Sequence, residues 1–184
     1  MWSWAFIRAL DDKGLGEGMK ITLNAIQYKH NSSGIGKLIY NLFNALVSEI
    51  SINKLDIKLD VIVTKDSPKL YACDYDFVNF IEIPFAKEQY VKRNIYELLF
   101  LYKLVDRNCD VFISMDSKLP LIMHKGVKKI LTVTDMAVYR MGEVYQFSRA
   151  LYWKALFNHS IRNSDKVVSI SRFTKNEIID ITGV

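Results

Sequence analysis

Lys20-Ile21-Thr22-Leu23-Asn24-Ala25-Ile26, followed after a polar loop by Ser33-Gly34-Ile35-Gly36-Lys37, is the stretch on which the fold turns. Ile21, Leu23 and Ala25 alternate with Thr22 and Asn24, the period of a strand buried in a sheet. From Gly34 to Ile50 the period changes. Ile35, Leu38, Ile39, Leu42, Phe43, Leu46 and Val47 recur at three and four, the stripe of a helix packed on that sheet, with Ser33 placed as its N-cap. A strand that runs through a glycine turn into a helix aims free N–H groups and the positive dipole end at the strand's exit, where an anion is favoured. Gly34 and Gly36 are expected to permit positive φ and close backbone approach. The competing reading is a tight strand-to-helix corner that holds no ligand.

Outward from this unit the alternation continues. Strands are expected at Ile57 to Val63, Phe77 to Ile83, Asp110 to Ser114, Lys129 to Thr134 and Lys166 to Ile170. Asp66-Ser67-Pro68 breaks the first of these and Pro84 ends the second. A long helix is expected from Glu88 to Asn108, with Tyr96, Leu99, Phe100 and Lys103-Leu104 on its buried side. A second covers Phe147 to Asn163, and a last one follows Ser171 as N-cap and ends near Gly183. Strands alternating with helical connections predict an α/β fold, a doubly wound, mostly parallel Rossmann-like sheet with helices on both faces. Ligands of such sheets gather at the carboxyl ends of the strands. Those exits are Gln27 to Lys37, Met115 to Pro120, Asp135 to Arg140 and Ser171 to Thr174.

The 184 residues suit one domain with a substantial core, half of them hydrophobic and 24% charged. Cys73 and Cys109 lie far apart, and His30, His124 and His159 are isolated, so neither a disulfide nor a metal site is expected. Reduced thiols fit a cytoplasmic protein. No GxSxG elbow, cysteine–histidine pair or HExxH is present, which removes the expected parts of hydrolase, redox and zinc chemistry. The net charge of +5 is scattered rather than gathered into a stripe, so nucleic acid is not an expected partner. An anionic membrane or a phosphorylated small molecule is compatible with it. Residues 1–18, with Trp2 and Trp4, read either as a short interfacial anchor or as a non-native extension ahead of Met19.

The glycine turn is neither a dinucleotide fingerprint, because Ile39 stands where the third glycine belongs, nor a Walker A loop, because Asn31 and Leu38 break that pattern. Thr134-Asp135 leaves a strand that is apolar on both faces. Its carboxylate is suited to accept a proton, to hold a sugar hydroxyl or simply to cap the next turn. Arg172 at a helix start opposes the dipole, and a bound anion would account for it.

Taken in order, these segments resemble the N-terminal domain of the GT-B, family 4 ("group 1") retaining glycosyltransferases. Ile21-Thr22-Leu23-Asn24-Ala25, Ser33-Gly34-Ile35-Gly36-Lys37 and Tyr40-Asn41-Leu42 look like that family's first strand, glycine loop and first helix. Asp110-Val111-Phe112-Ile113-Ser114 with Leu119-Pro120 looks like its fourth-strand region. Leu131-Thr132-Val133-Thr134-Asp135-Met136 resembles its T-[IV]-H-D strand exit, and Val168-Ser169-Ile170-Ser171-Arg172-Phe173-Thr174-Lys175-Asn176-Glu177 its V-S-x-F-[ST]-K-x-E stretch.

The resemblance implies transfer of a sugar from a nucleotide-sugar to a glycan or lipid-linked acceptor, without a metal or other cofactor. By position it assigns Gly34, Ile35, Gly36 and Lys37 to the donor diphosphate and Thr134 and Asp135 to the reacting sugar. Tyr139 and Arg140 fall on the acceptor side, and Ser171 and Arg172 on the cleft floor. Thr134 and Ile113 stand where the family often has histidine. The resemblance covers Met19 to Val184 and no nucleotide-binding second domain, so the chain is expected to be inactive alone, needing that domain or a partner chain. Peripheral contact with the inner face of the membrane is a further expectation. The alternative is a non-catalytic binding module of the same fold.

Overall fold

The computed structural model describes residues 18–28, 34–65, 67, 70, 75–86, 88–140 and 147–184. Ser33, His30, Cys73, Asp66, Pro68 and residues 1–17 fall outside the described residues, as do the expectations attached to them. The strands are β1 (Met19–Asn24), β2 (Ile57–Thr64), β3 (Val78–Ile83), β4 (Val111–Ser114), β5 (Lys128–Val133) and β6 (Lys166–Ser169). The α-helices are α1 (Gly34–Ile52), α2 (Tyr90–Leu99), α3 (Ala137–Arg140), α4 (Phe147–Arg162) and α5 (Arg172–Thr182), with a 3₁₀ turn at Leu101–Lys103.

All pairings are parallel, in one six-stranded sheet of order β3-β2-β1-β4-β5-β6. The chain winds outward from β1 in one direction, then returns to its other side with β4. This reversal opens a crevice at the carboxyl ends of β1 and β4. The fold is thus the doubly wound α/β sheet that the alternation predicts.

Period-2 side chains divide the core into two layers. Ile21, Leu23, Val61, Val63, Val111 and Ile113 pack with Ile39, Leu42, Phe43 and Leu46 of α1. On the other face Ile62, Phe112, Leu131 and Val133 pack with Leu101, with Phe157 and Ile161 of α4, and with Ile178 of α5. A fully buried aliphatic or phenyl side chain of this kind stabilises by about 1.5–3 kcal/mol, and Leu23, Phe112, Ile113 and Leu131 are wholly covered.

Local chemistry sets the ends of these elements. β1 stops when Asn24 Oδ1 accepts from the Ile26 N–H (3.2 Å), bending the chain away from the sheet. α1 runs to Ile52 and is released at Lys54, whose φ is +50°. Ser171 Oγ accepts from the Thr174 N–H at 2.9 Å, and Gly183 closes α5 in the left-handed conformation (φ +72°), both as expected.

The helix expected from Glu88 to Asn108 is the largest correction. It ends at Leu99, tightens through the 3₁₀ turn and gives way to a loop in which Asp106 Oδ1 accepts from the Asn108 N–H (2.8 Å). Its expected buried side is also turned. Leu99, Phe100 and Lys103 are exposed and Tyr96 and Leu104 half-buried, whereas Arg93, Asn94, Glu97 and Leu98 are buried. The reason lies in β4's exit, which sets a buried ammonium beneath α2 and draws that helix's polar face inward.

Candidate functional site

The strand exits meet in a cleft of about 530 Å³ lined by Gly34, Ile35, Lys37, Leu38, Asn41, Thr134, Asp135 and Ile170. Residues 34, 37, 38 and 41 fall on one face of α1's first two turns, so both the tip and the flank of this helix form one wall. Thr134 and Asp135, directly after β5, and Ile170, directly after β6, form the other. Backbone pairing of Ile170 N with Val133 O (3.2 Å) holds those two exits together. Two segments separated by about a hundred residues thus converge at the place where doubly wound sheets bind ligands.

The glycines act differently from expectation. Neither Gly34 nor Gly36 has positive φ; both lie in the α1 helix. A Cβ built on Gly34 meets nothing within 4 Å. No backbone requirement therefore calls for glycine there, and its missing side chain leaves the cleft wall open to a ligand. Lys37, also on this wall, is exposed. With the helix N-terminus, worth roughly half a positive charge, it makes this wall electropositive.

On the opposite wall Asp135 is exposed, and its Oδ1 accepts from the Ala137 N–H (2.9 Å), capping α3. The capping role read for this carboxylate is thus present, and its Oδ2 carries no hydrogen bond among the described residues. Thr134 is held by its backbone, its N–H donating to Ser117 Oγ at 3.4 Å. An electropositive wall facing a carboxylate and a hydroxyl suits a ligand with an anionic part and a polyol part.

Tyr139 is not among the described residues that line this cleft, and the side chain of Arg140 lies outside what the structure describes. Tyr139 stacks edge-on against Phe157 (5.6 Å between centroids), donates its hydroxyl to Asn158 Oδ1 (2.7 Å) and has Lys154 Nζ over its ring. Burial raises its phenol pKa, against the Asn158 hydrogen bond. Ser171 and Arg172 directly follow Ile170; Ser171 is the α5 cap, and Arg172 is exposed at that helix's first position. Ile113, where the resemblance would place histidine, is wholly buried beneath α1.

Behind the cleft lies a network that sequence reasoning missed. Lys118, 4% exposed, ion-pairs with Glu97, 2% exposed, and with Asp116 Oδ2 at 2.8 Å. Its ammonium also donates to Asn94 Oδ1 (2.5 Å). Asp116 Oδ2 accepts from Gln27 Nε2 (2.9 Å), and Gln27 Oε1 from Arg93 Nη2 (3.4 Å). This ties the exits of β1 and β4 to α2. Burial disfavours the Lys118 charge, but Asp116 and Glu97 outweigh it and hold the ammonium pKa above its ordinary value. Burial likewise lifts the Glu97 carboxyl above its usual range, with Lys118 pulling the other way.

Between Asp116 and Lys118, Ser117 takes the left-handed conformation (φ +51°), a strain of about 1–2 kcal/mol for a residue other than glycine. Its hydroxyl reaches both the Thr132 carbonyl and the Thr134 N–H. The network therefore positions the Thr134-Asp135 wall. Asp116-Ser117-Lys118 falls within an exit segment marked from the sequence, but the polar triplet on α2 reads as a solvated helix face, and nothing local contradicts that reading.

Comparison with protein-family models, with curated proteins and with solved structures finds no match to this chain.

Proposed function

We propose that this chain is the acceptor-side half of a glycosyltransferase, working in the transfer of a sugar from a nucleotide-sugar to a glycan or lipid-linked acceptor. One observation carries the reading: the α1 N-terminus with Gly34 and Lys37 faces Thr134 and Asp135 across a single cleft at the sheet's crevice. In this reading the α1 N–H groups and Lys37 hold diphosphate oxygens, Gly34 admits them, and Asp135 and Thr134 hold hydroxyls of the transferred sugar. A leaving diphosphate needs charge stabilisation from all around it, and Lys37 is the one cation among the cleft's described lining residues. A second, nucleotide-binding wall, in a further domain or a partner chain, completes the site.

Thr134 favours a second reading. A hydroxyl holds a sugar but does not exchange protons as an imidazole does near neutral pH, so the same cleft suits binding without transfer.

Titrating the isotope-labelled chain with pyrophosphate and with nucleotide-sugars, followed by amide NMR, tests the site. The expected result is weak binding, with shifts centred on residues 34–38 and 134–135. Tight binding of a complete nucleotide-sugar, or shifts elsewhere, would refute the half-site. Transfer of labelled sugar by the chain combined with a nucleotide-binding half separates the enzyme from the binding module.

A further inference from the structure

The sheet carries a second pocket at the end opposite the crevice. Period two sets Lys20 of β1, Lys58 and Asp60 of β2, and Asn79 and Ile81 of β3 on the face that carries Ile62 and Phe112. A parallel sheet ordinarily buries such a face under helices. Here α2 stops at Leu99, and residues 103–106 wall the amino ends of the strands instead, leaving a cavity of about 470 Å³. That is a volume in which small molecules are commonly held.

The charges of this pocket stand in rows. Lys20 and Lys58 are register partners, and two residues further along the strands Asp60 is paired with Asn79. The basic and acidic rows are thus about 6.6 Å apart along the strands. Two lysines side by side on neighbouring strands repel. Asp106 relieves Lys20 (2.8 Å), whereas Lys58 has no hydrogen bond or ion pair among the described residues. On the acidic side Asn79 Nδ2 donates to Asp60 Oδ1 (2.8 Å), and neither Asp60 Oδ2 nor the Asp76 carboxylate has a partner among the described residues. Counting Lys103, the lining holds three lysines against three aspartates. A balance of that kind does not select an anion or a metal ion; it selects a neutral ligand whose own opposite charges are separated. Phe77, Ile81 and Leu104 add apolar surface between the charges.

We infer that this pocket is a binding site for a small zwitterion, an amino acid with an apolar side chain. The ligand's carboxylate meets Lys58 and Lys103, its ammonium meets Asp60 and Asp76, and its side chain lies against Phe77, Ile81 and Leu104. The reading is independent of the chemistry proposed for the cleft, which opens at the other end of the strands.

The test is amide NMR of the isotope-labelled full chain, titrated with leucine, N-acetylleucine, leucinamide and inorganic phosphate. Leucine at millimolar concentration should shift residues 58–60, 76–79 and 103–106 and leave residues 34–38 and 134–135 in place. N-acetylleucine lacks the ammonium and leucinamide the carboxylate, so each should bind about tenfold more weakly, the loss of one charge-assisted contact. Lys58→Gln and Asp60→Asn should each weaken leucine binding by a similar factor. Lys58 is exposed, and Asp60→Asn keeps an Oδ1 acceptor for Asn79, so the remaining amide spectrum should be that of the folded parent. Leucine binding that survives both substitutions overturns the proposal, as does the absence of any shift in the unaltered chain. Phosphate binding more tightly than leucine makes the pocket an anion site, and either analogue binding as well as leucine removes the need for paired charges; in both cases the zwitterion reading falls.

Discussion

Replacing Lys118 by Met removes the cation at the centre of the buried network while keeping much of its apolar volume. Glu97, 2% exposed, loses its paired ammonium and keeps only the weaker attraction of Arg93, while Asp116 keeps Gln27. Breaking a buried pair from one side costs about 3–5 kcal/mol, a third or more of the stability of an ordinary domain. In a chain of this length that lowers the melting temperature by roughly 10 °C.

The pH dependence gives the loss a signature. Burial holds the Glu97 carboxyl above its ordinary value of 4.5, and removing Lys118 raises it further. Between the unfolded and folded values the native state keeps a proton that the unfolded chain has released. Stability therefore falls as pH rises through that window and is recovered as pH falls. The deficit of Lys118→Met should be greatest at neutral pH and shrink toward 4.5. Lys118 contributes the opposite end: its raised folded pKa makes the parent chain lose stability as pH rises beyond the ordinary 10.5, and the variant lacks that loss. Urea unfolding of both proteins at a series of pH values measures this. A deficit below about 1 kcal/mol, or one flat between about pH 7 and about pH 5, refutes a desolvated ion network. Adding Glu97→Leu to Lys118→Met should restore most of the stability, because the orphaned charge goes with it.

The cleft predicts further outcomes. Gly34→Val projects into space empty to 4 Å; it should alter stability by no more than about 0.5 kcal/mol, yet weaken diphosphate binding at least tenfold by NMR titration. Asp135→Asn retains an Oδ1 acceptor for the Ala137 N–H, so urea midpoints should barely move while affinity for a sugar-bearing ligand falls about tenfold. Ser171→Ala removes the α5 cap and should cost about 1 kcal/mol, read by the same unfolding curves.

The sheet and the site were legible to different depths. Period-2 runs such as Ile21-Leu23-Ala25 and the three-and-four stripe of α1 report the sheet and its first helix directly, because each residue's burial there follows from the backbone's own repeat. Alternation of the two periods then implies the parallel winding. The glycine turn and Thr134-Asp135 were identifiable as strand exits on the same ground. Their meeting in one cleft was not, since it depends on the order β3-β2-β1-β4-β5-β6, which brings β1's and β5's exits round the same crevice.

α2 marks the limit. Taken locally, Arg93, Asn94 and Glu97 belong in water and Val91, Ile95 and Leu99 in a core. The fold reverses them because Lys118, delivered from β4 some twenty residues later, needs carboxylate and amide partners beneath the helix. That a helix forms here is thus read from sequence periodicity, but its end at Leu99 is not. Which face turns inward is decided by tertiary structure, since desolvating a lone ammonium costs more than exposing three aliphatic side chains.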